Sequence, residues 1–95
     1  MFNTIDDITI DYKEEDILVV KELEKEVLTK GAWTTILFKY QQWEPKKEAY
    51  SEDKFTVRRY RKIKGEYRQQ SKFNISGKEQ AEKIAEILQK WVRGK

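Results

Sequence analysis

Lys54-Phe55-Thr56-Val57-Arg58-Arg59-Tyr60-Arg61-Lys62-Ile63, Lys64-Gly65, and Glu66-Tyr67-Arg68-Gln69-Gln70-Ser71-Lys72-Phe73-Asn74-Ile75 form the stretch on which the fold turns. Two runs carrying β-branched and aromatic residues flank a Lys-Gly pair, and glycine supplies the positive φ that a tight hairpin requires. The pattern predicts strands over 54–63 and 66–75. Eight cations (Lys54, Arg58, Arg59, Arg61, Lys62, Lys64, Arg68 and Lys72) face a single acid, Glu66, for a net charge of +7. Alternation puts Arg58, Tyr60, Lys62 and Lys64 on one side, and Phe55, Val57, Arg59, Arg61 and Ile63 on the other. On the return strand Phe73 and Ile75 are expected to face the core, which turns Arg68, Gln70 and Lys72 outward. One bulge would invert that assignment.

Downstream, Ser76-Gly77-Lys78-Glu79 reads as a capping box, with the Ser hydroxyl taking the N3 amide and the Glu reaching back. Ala81, Ile84, Ala85, Leu88, Trp91 and Val92 then recur at helical spacing, widened by Ile87, and predict a helix over 77–92. Upstream, Gly31 marks the turn into Trp33-Thr34-Thr35-Ile36-Leu37-Phe38-Lys39-Tyr40-Gln41-Gln42-Trp43, a strand with Ile36, Phe38 and Tyr40 on one face. Residues 44–53, with Pro45 as the breaker, read as a loop. Val and Ile content favours a first strand over roughly residues 20–30, against a Glu/Lys content that favours helix. Residues 1–15 read as an acidic leader, a weak strand or ordered tail, and 16–95 as one domain. The expected class is α+β: a curved four-stranded antiparallel sheet followed by one C-terminal helix.

Composition excludes much chemistry. The 95 residues contain no Cys and no His, which removes disulfides, thiolate zinc sites, a His base and a Cys nucleophile. No Gly-rich phosphate loop occurs, since the four glycines stand singly. The acids cluster in the leader, the 44–53 loop and the wet face of the helix, where no pair is set on an apolar strand. No enzyme, cofactor or metal is therefore expected. No apolar run approaches the roughly eighteen residues of a membrane span, and the start lacks a signal peptide's pattern, so the expected location is the cytoplasm, with nucleoid association as an option. The first thirty residues hold four lysines against nine carboxylates, a net of −5, and the rest carries +8. Such asymmetry points to a basic working surface with an acidic leader attached.

A sheet face interleaving cations, amides and rings suits single strands, because cations track phosphates and exposed rings stack on unpaired bases. The blander reading is a solvated strand with Tyr60 and Tyr67 in the core, which leaves the mutual repulsion of eight cations uncompensated. Trp43, at a strand end, is the expected stacking platform, whereas Trp33 is expected to cap the core. Ile84, Ile87, Leu88 and Trp91 offer more apolar width than one small sheet covers, so a homodimer interface is expected on the helix.

Gly65-Glu66-Tyr67, a short polar strand, Phe73-Asn74-Ile75-Ser76 and the amphipathic helix resemble the C-terminal domain of the transcriptional coactivator positive cofactor four. The Whirly and bacterial Pur-alpha-like families share the plan, and the resemblance covers residues 20–93. It implies four antiparallel strands and a helix per protomer, dimerisation largely through helices, and a curved sheet that binds single-stranded nucleic acid. Carried over by position, Lys39 and Gln41 would face the ligand from the second strand. Arg58, Tyr60 and Lys62 would do so from the third, and Arg68 and Lys72 from the fourth. The acidic first thirty residues depart from the basic or Ser-rich leader common in such coactivators. The expected function is therefore largely sequence-independent binding of single strands, DNA ahead of RNA. The expected site is Lys39, Gln41, Trp43, Arg58, Tyr60, Lys62, Lys64, Arg68 and Lys72. The alternative is a protein-interaction domain docking an acidic partner on the basic sheet.

Overall fold

The computed structural model describes residues Phe2–Gly94. Six strands and one helix follow a short 3-10 turn at Ile5–Asp7. They are β1 (Tyr12–Glu14), β2 (Ile17–Thr29), β3 (Trp33–Glu44), β4 (Ala49–Tyr50), β5 (Lys54–Ile63), β6 (Glu66–Ile75) and α1 (Lys78–Val92). Every pairing is antiparallel, in the order β1-β2-β3-β5-β6, with β4 pairing off the path to β3. The four expected strands are all present, and two short ones join them: β1 from the leader and β4 from the segment expected to be loop. Register shifts in β2–β3, between Glu22 and Glu24 and between Val27 and Thr29, and in β5–β6 after Arg59 set extra residues into the long strands. Bulges bend a strand and increase its twist, which curls this sheet into a half-barrel.

The Lys64-Gly65 turn closes the hairpin with two consecutive positive φ values, 52° and 82°. That is the geometry of a type I′ turn, whose twist matches the flanking strands.

The main core lies on one side of the sheet, and Ile75 is buried on the other. Ile36, Phe38 and Tyr40 from β3, Tyr60 from β5 and Tyr67 from β6 form a buried cluster with Ile8 and Ile10 of the leader. The leader crosses that side from one edge of the sheet to the other. At its start Tyr67 N donates to Phe2 O (2.7 Å), and at its end β1 pairs with β2. Polar groups of β2 hold it in place. Lys25 Nζ donates to the carbonyls of Ile5 (2.7 Å), Asp6 (3.3 Å) and Ile8 (2.7 Å). A Glu22 carboxylate oxygen accepts from the Thr9 hydroxyl (2.7 Å) and from Ile10 N (3.3 Å). Residues 1–15 were expected as a weak strand or ordered tail with no evident packing partner; β1 is that strand, and the partner is the sheet, on which Ile8 and Ile10 are among the most buried side chains.

The helix begins one residue later than expected and is capped differently. Gly77 is the N-cap and makes no side-chain cap bond. The Gln80 side-chain oxygen reaches back instead, accepting from Ser76 N (2.6 Å) and the Ser76 hydroxyl (3.1 Å). The extended backbone at Gly77 shifts the N3 position from Glu79 to Gln80, so the Ser76–Glu79 capping box does not form. No residue of α1 is buried, and the helix makes only marginal contact with any strand. It stands off the sheet as an arm.

Candidate nucleic-acid interface

Antiparallel partners share a face, so the register sorts every strand residue onto one of two sides. Thr34 pairs with Tyr60, Ile36 with Arg58 and Phe38 with Thr56, and all lie on the side covered by the leader. Trp33 pairs with Arg61, Thr35 with Arg59, Leu37 with Val57 and Lys39 with Phe55, on the opposite, open side. The expected alternation along β5 is therefore present with its sides exchanged. Arg58, Tyr60 and Lys62 were expected to face a ligand, and they face the leader. Arg59 and Arg61 were expected to face the core, and they face solvent.

Each expected site residue can now be located. Tyr60 is 2% exposed and belongs to the core, so it offers no ring for stacking. Burial holds its phenol pKa above the usual value, against the opposing pull of the nearby Arg58 guanidinium. Arg58 is half-buried; its Nη1 donates to the Gln69 side-chain oxygen (3.0 Å), while its Nε has no partner among the described residues. Lys72 pairs opposite Arg58 and is exposed. Lys62 is exposed on the leader side, its Nζ 5.7 Å from the centre of the Tyr67 ring. Lys64 is exposed in the turn. Arg68 lies on the open side opposite Arg61 and pairs with Glu66 (3.2 Å).

Lys39, Gln41 and Trp43 also lie on the open side, but each is engaged within the chain. Lys39 is ion-paired to Glu24, whose hydrogen bond raises the lysine pKa. The Gln41 side-chain amide donates to Asp53 (3.1 Å). Trp43 stacks edge-on against Tyr50 with ring centres 5.2 Å apart. That pair is pinned by the Tyr50 hydroxyl on Leu18 O (2.9 Å) and by Lys21 Nζ over the Tyr50 ring. Trp43 is thus a structural anchor at the far end of the sheet from the basic turn.

The structure gathers a different set. Trp33, 41% exposed, lies on the open side with the guanidinium carbons of Arg59 and Arg61 at 4.4 Å and 5.4 Å from its ring centre. Arg59 and Arg61 are exposed, and among the described residues neither has a carboxylate within ion-pair distance. Arg68 lies across from Arg61, and Lys64 lies at the adjoining turn. A ring, guanidinium planes and free positive charge are thereby concentrated at the hairpin end of the open side, where they can stack with flat groups and neutralise anions.

Ile5, Ile8 and Ile10 were the signal that would have found this set. Three isoleucines in an acidic leader need a sheet face to bury them, and that face is the one carrying Ile36, Phe38 and Tyr40. Trp33, Arg59 and Arg61 then fall on the opposite side by alternation.

Rows of residues across the open side divide it in two. Trp33–Arg61–Arg68 and Thr35–Arg59–Ser71 are basic and polar, and Leu37–Val57–Phe73 and Lys39–Phe55–Ile75 are largely apolar. Among the described residues no group of three or more Asp or Glu side chains could hold a metal ion, and no helix is long and apolar enough to cross a membrane. No family model, no curated protein and no solved structure matches this chain.

Proposed function

We propose that this chain binds single-stranded nucleic acid, as a homodimer and with little sequence preference, through the hairpin end of the open side of its sheet. One observation carries the proposal: an exposed indole lies beneath two guanidinium groups that have no carboxylate partner among the described residues. Arginine planes and aromatic rings stack on unpaired bases, and the same cations neutralise the phosphates between them. Seven of the eight hairpin cations lack a carboxylate partner among the described residues, the exception being Arg68. The leader's side-chain hydrogen bonds beyond itself go to β2 rather than to the hairpin. Trp33 and the arginine pair take the place of Tyr60, Trp43 and Arg58 in the site. A duplex is the poorer ligand, because its bases are already stacked and α1, the helix available to enter a groove, carries charges of mixed sign.

Titration of intrinsic tryptophan fluorescence with a dT oligonucleotide at several salt concentrations tests the proposal. Quenching is expected, with about five phosphate contacts giving a log–log salt slope near −3.5. Arg59→Glu with Arg61→Glu should abolish binding and leave the circular dichroism unchanged, since both side chains are exposed. Equal affinity for poly-glutamate would mean that the basic end takes any polyanion, and it would overturn the proposal.

A further inference from the structure

We infer that the dimer is built by reciprocal exchange of arms, the helix α1 of one copy lying on the apolar rows of the other copy's open sheet face. The inference rests on the dimeric reading above and specifies its interface. One chain carries two unsatisfied apolar surfaces. The arm presents Leu88, Trp91 and Val92 exposed beside half-buried Ile84, and the sheet presents Phe73 exposed beside half-buried Leu37 and Val57. Each surface is what the other lacks, so a second copy is the occupant that satisfies both at once. Two identical contacts related by a two-fold axis close the assembly and leave no arm or face over.

Size supports the same occupant. Trp91 is 70% and Phe73 54% exposed, and at about 150–250 Å² per aromatic side chain these two rings alone offer roughly 250 Å² in each copy. Exposed Leu88 and Val92 and the half-buried Leu37, Phe55 and Val57 extend the patch towards the roughly 800 Å² per partner of a standard interface. A shallow, largely apolar depression of about 160 Å³, lined among others by Glu24, Leu37, Lys39 and Phe55, lies within these rows. It is on the scale of one large side chain, and the Glu24–Lys39 ion pair forms part of its wall.

Joining two copies through the outer edge of β6 is the competing geometry, and it is poorly prepared. The register shift at Gln70 interrupts that edge, and Arg68 and Lys72 would bring like charges together. The basic rows at Trp33, Arg59 and Arg61 lie outside the proposed contact, so each copy keeps its nucleic-acid end open.

No cysteine occurs in the chain, so introduced thiols report proximity cleanly. Leu37→Cys and Leu88→Cys chains are purified separately, mixed, allowed to exchange subunits and oxidised. A disulfide-linked dimer is expected in the mixture and not in either chain alone. Efficient cross-linking of the Leu88→Cys chain by itself would put helix against helix and overturn the inference. So would sedimentation of the native chain as a monomer at tens of micromolar. Leu88→Asp with Trp91→Asp supplies a second readout that does not depend on oxidation. It should convert the dimer to a monomer whose near-ultraviolet circular dichroism, set by the buried tyrosines of the sheet, is retained, because both side chains are exposed in the single copy and lie away from that core; a variant that stays dimeric would also overturn the inference. These measurements need no nucleic acid, so a protein that exchanges arms and ignores oligonucleotides would lose the proposed function and keep this interface.

Discussion

Tyr60 shows how one residue's role depends on the side it faces. Its alternation partners Arg58 and Lys62 make it look like part of a basic and aromatic binding face, but the leader lies over it and it is almost fully buried. Burial favours the neutral phenol, so the pKa in the folded state lies above the unfolded value of about 10. The neutral phenol's contribution is therefore complete below about pH 10 and is lost as pH rises through the folded value. The urea midpoint is expected to be level in Tyr60 between about pH 7 and 9 and to fall above 10. Tyr60→Phe should flatten that fall, and an equal loss of stability in the variant would contradict this account. Lys39 titrates in the same direction, because Glu24 favours its charged form, and Lys39→Met is the control that separates the two.

At the scale of elements, the leader matters most. A chain of this size has a thin core, and residues 2–14 supply one whole side of it. Their grip is specific: the three donors of the Lys25 ammonium meet three leader carbonyls, Glu22 N donates to the Asp11 carboxylate, and the Glu22 carboxylate accepts from Thr9 and Ile10 across the same seam. Ile8→Ala should cost about 2–5 kcal/mol in urea unfolding, as expected for a buried isoleucine that leaves a cavity. Leu28→Ala, at an exposed site in β2, should stay within about 0.5 kcal/mol. A leader that was only a tail would give two equal and small effects. The helix behaves in the opposite way: its amphipathic stripe was plain from residue spacing, and in a single copy none of it is buried and Leu88, Trp91 and Val92 stay exposed. An isolated helix of this length is marginal in water, so its exposed stripe is the surface that the proposed second copy would cover.

For the whole molecule, the consequence is a sheet with two unlike sides. One is sealed by the leader, and the other is divided between a basic end and an apolar middle. If the apolar middle and the arm join two copies, folding and association are linked, and the apparent melting temperature should rise with protein concentration. A melting temperature independent of concentration over a hundredfold range would count against the dimer. Much of this was legible from residue order. Strands β3, β5 and β6, the turn at Lys64-Gly65 and the helix follow from alternation, glycine placement and helical spacing, all of which are set by neighbours along the chain. The two-way division of β5 into Arg58, Tyr60 and Lys62 against Arg59 and Arg61 was legible for the same reason, since it is a property of the pleat. Which of those two sets meets water was not. That depends on where Ile5, Ile8 and Ile10 come to rest, dozens of residues away in sequence, and on the bulges that set the register of β2 and β6. Local periodicity determined the elements and their faces; only the packing of the leader across the sheet decided which face became core and which was left open to solvent.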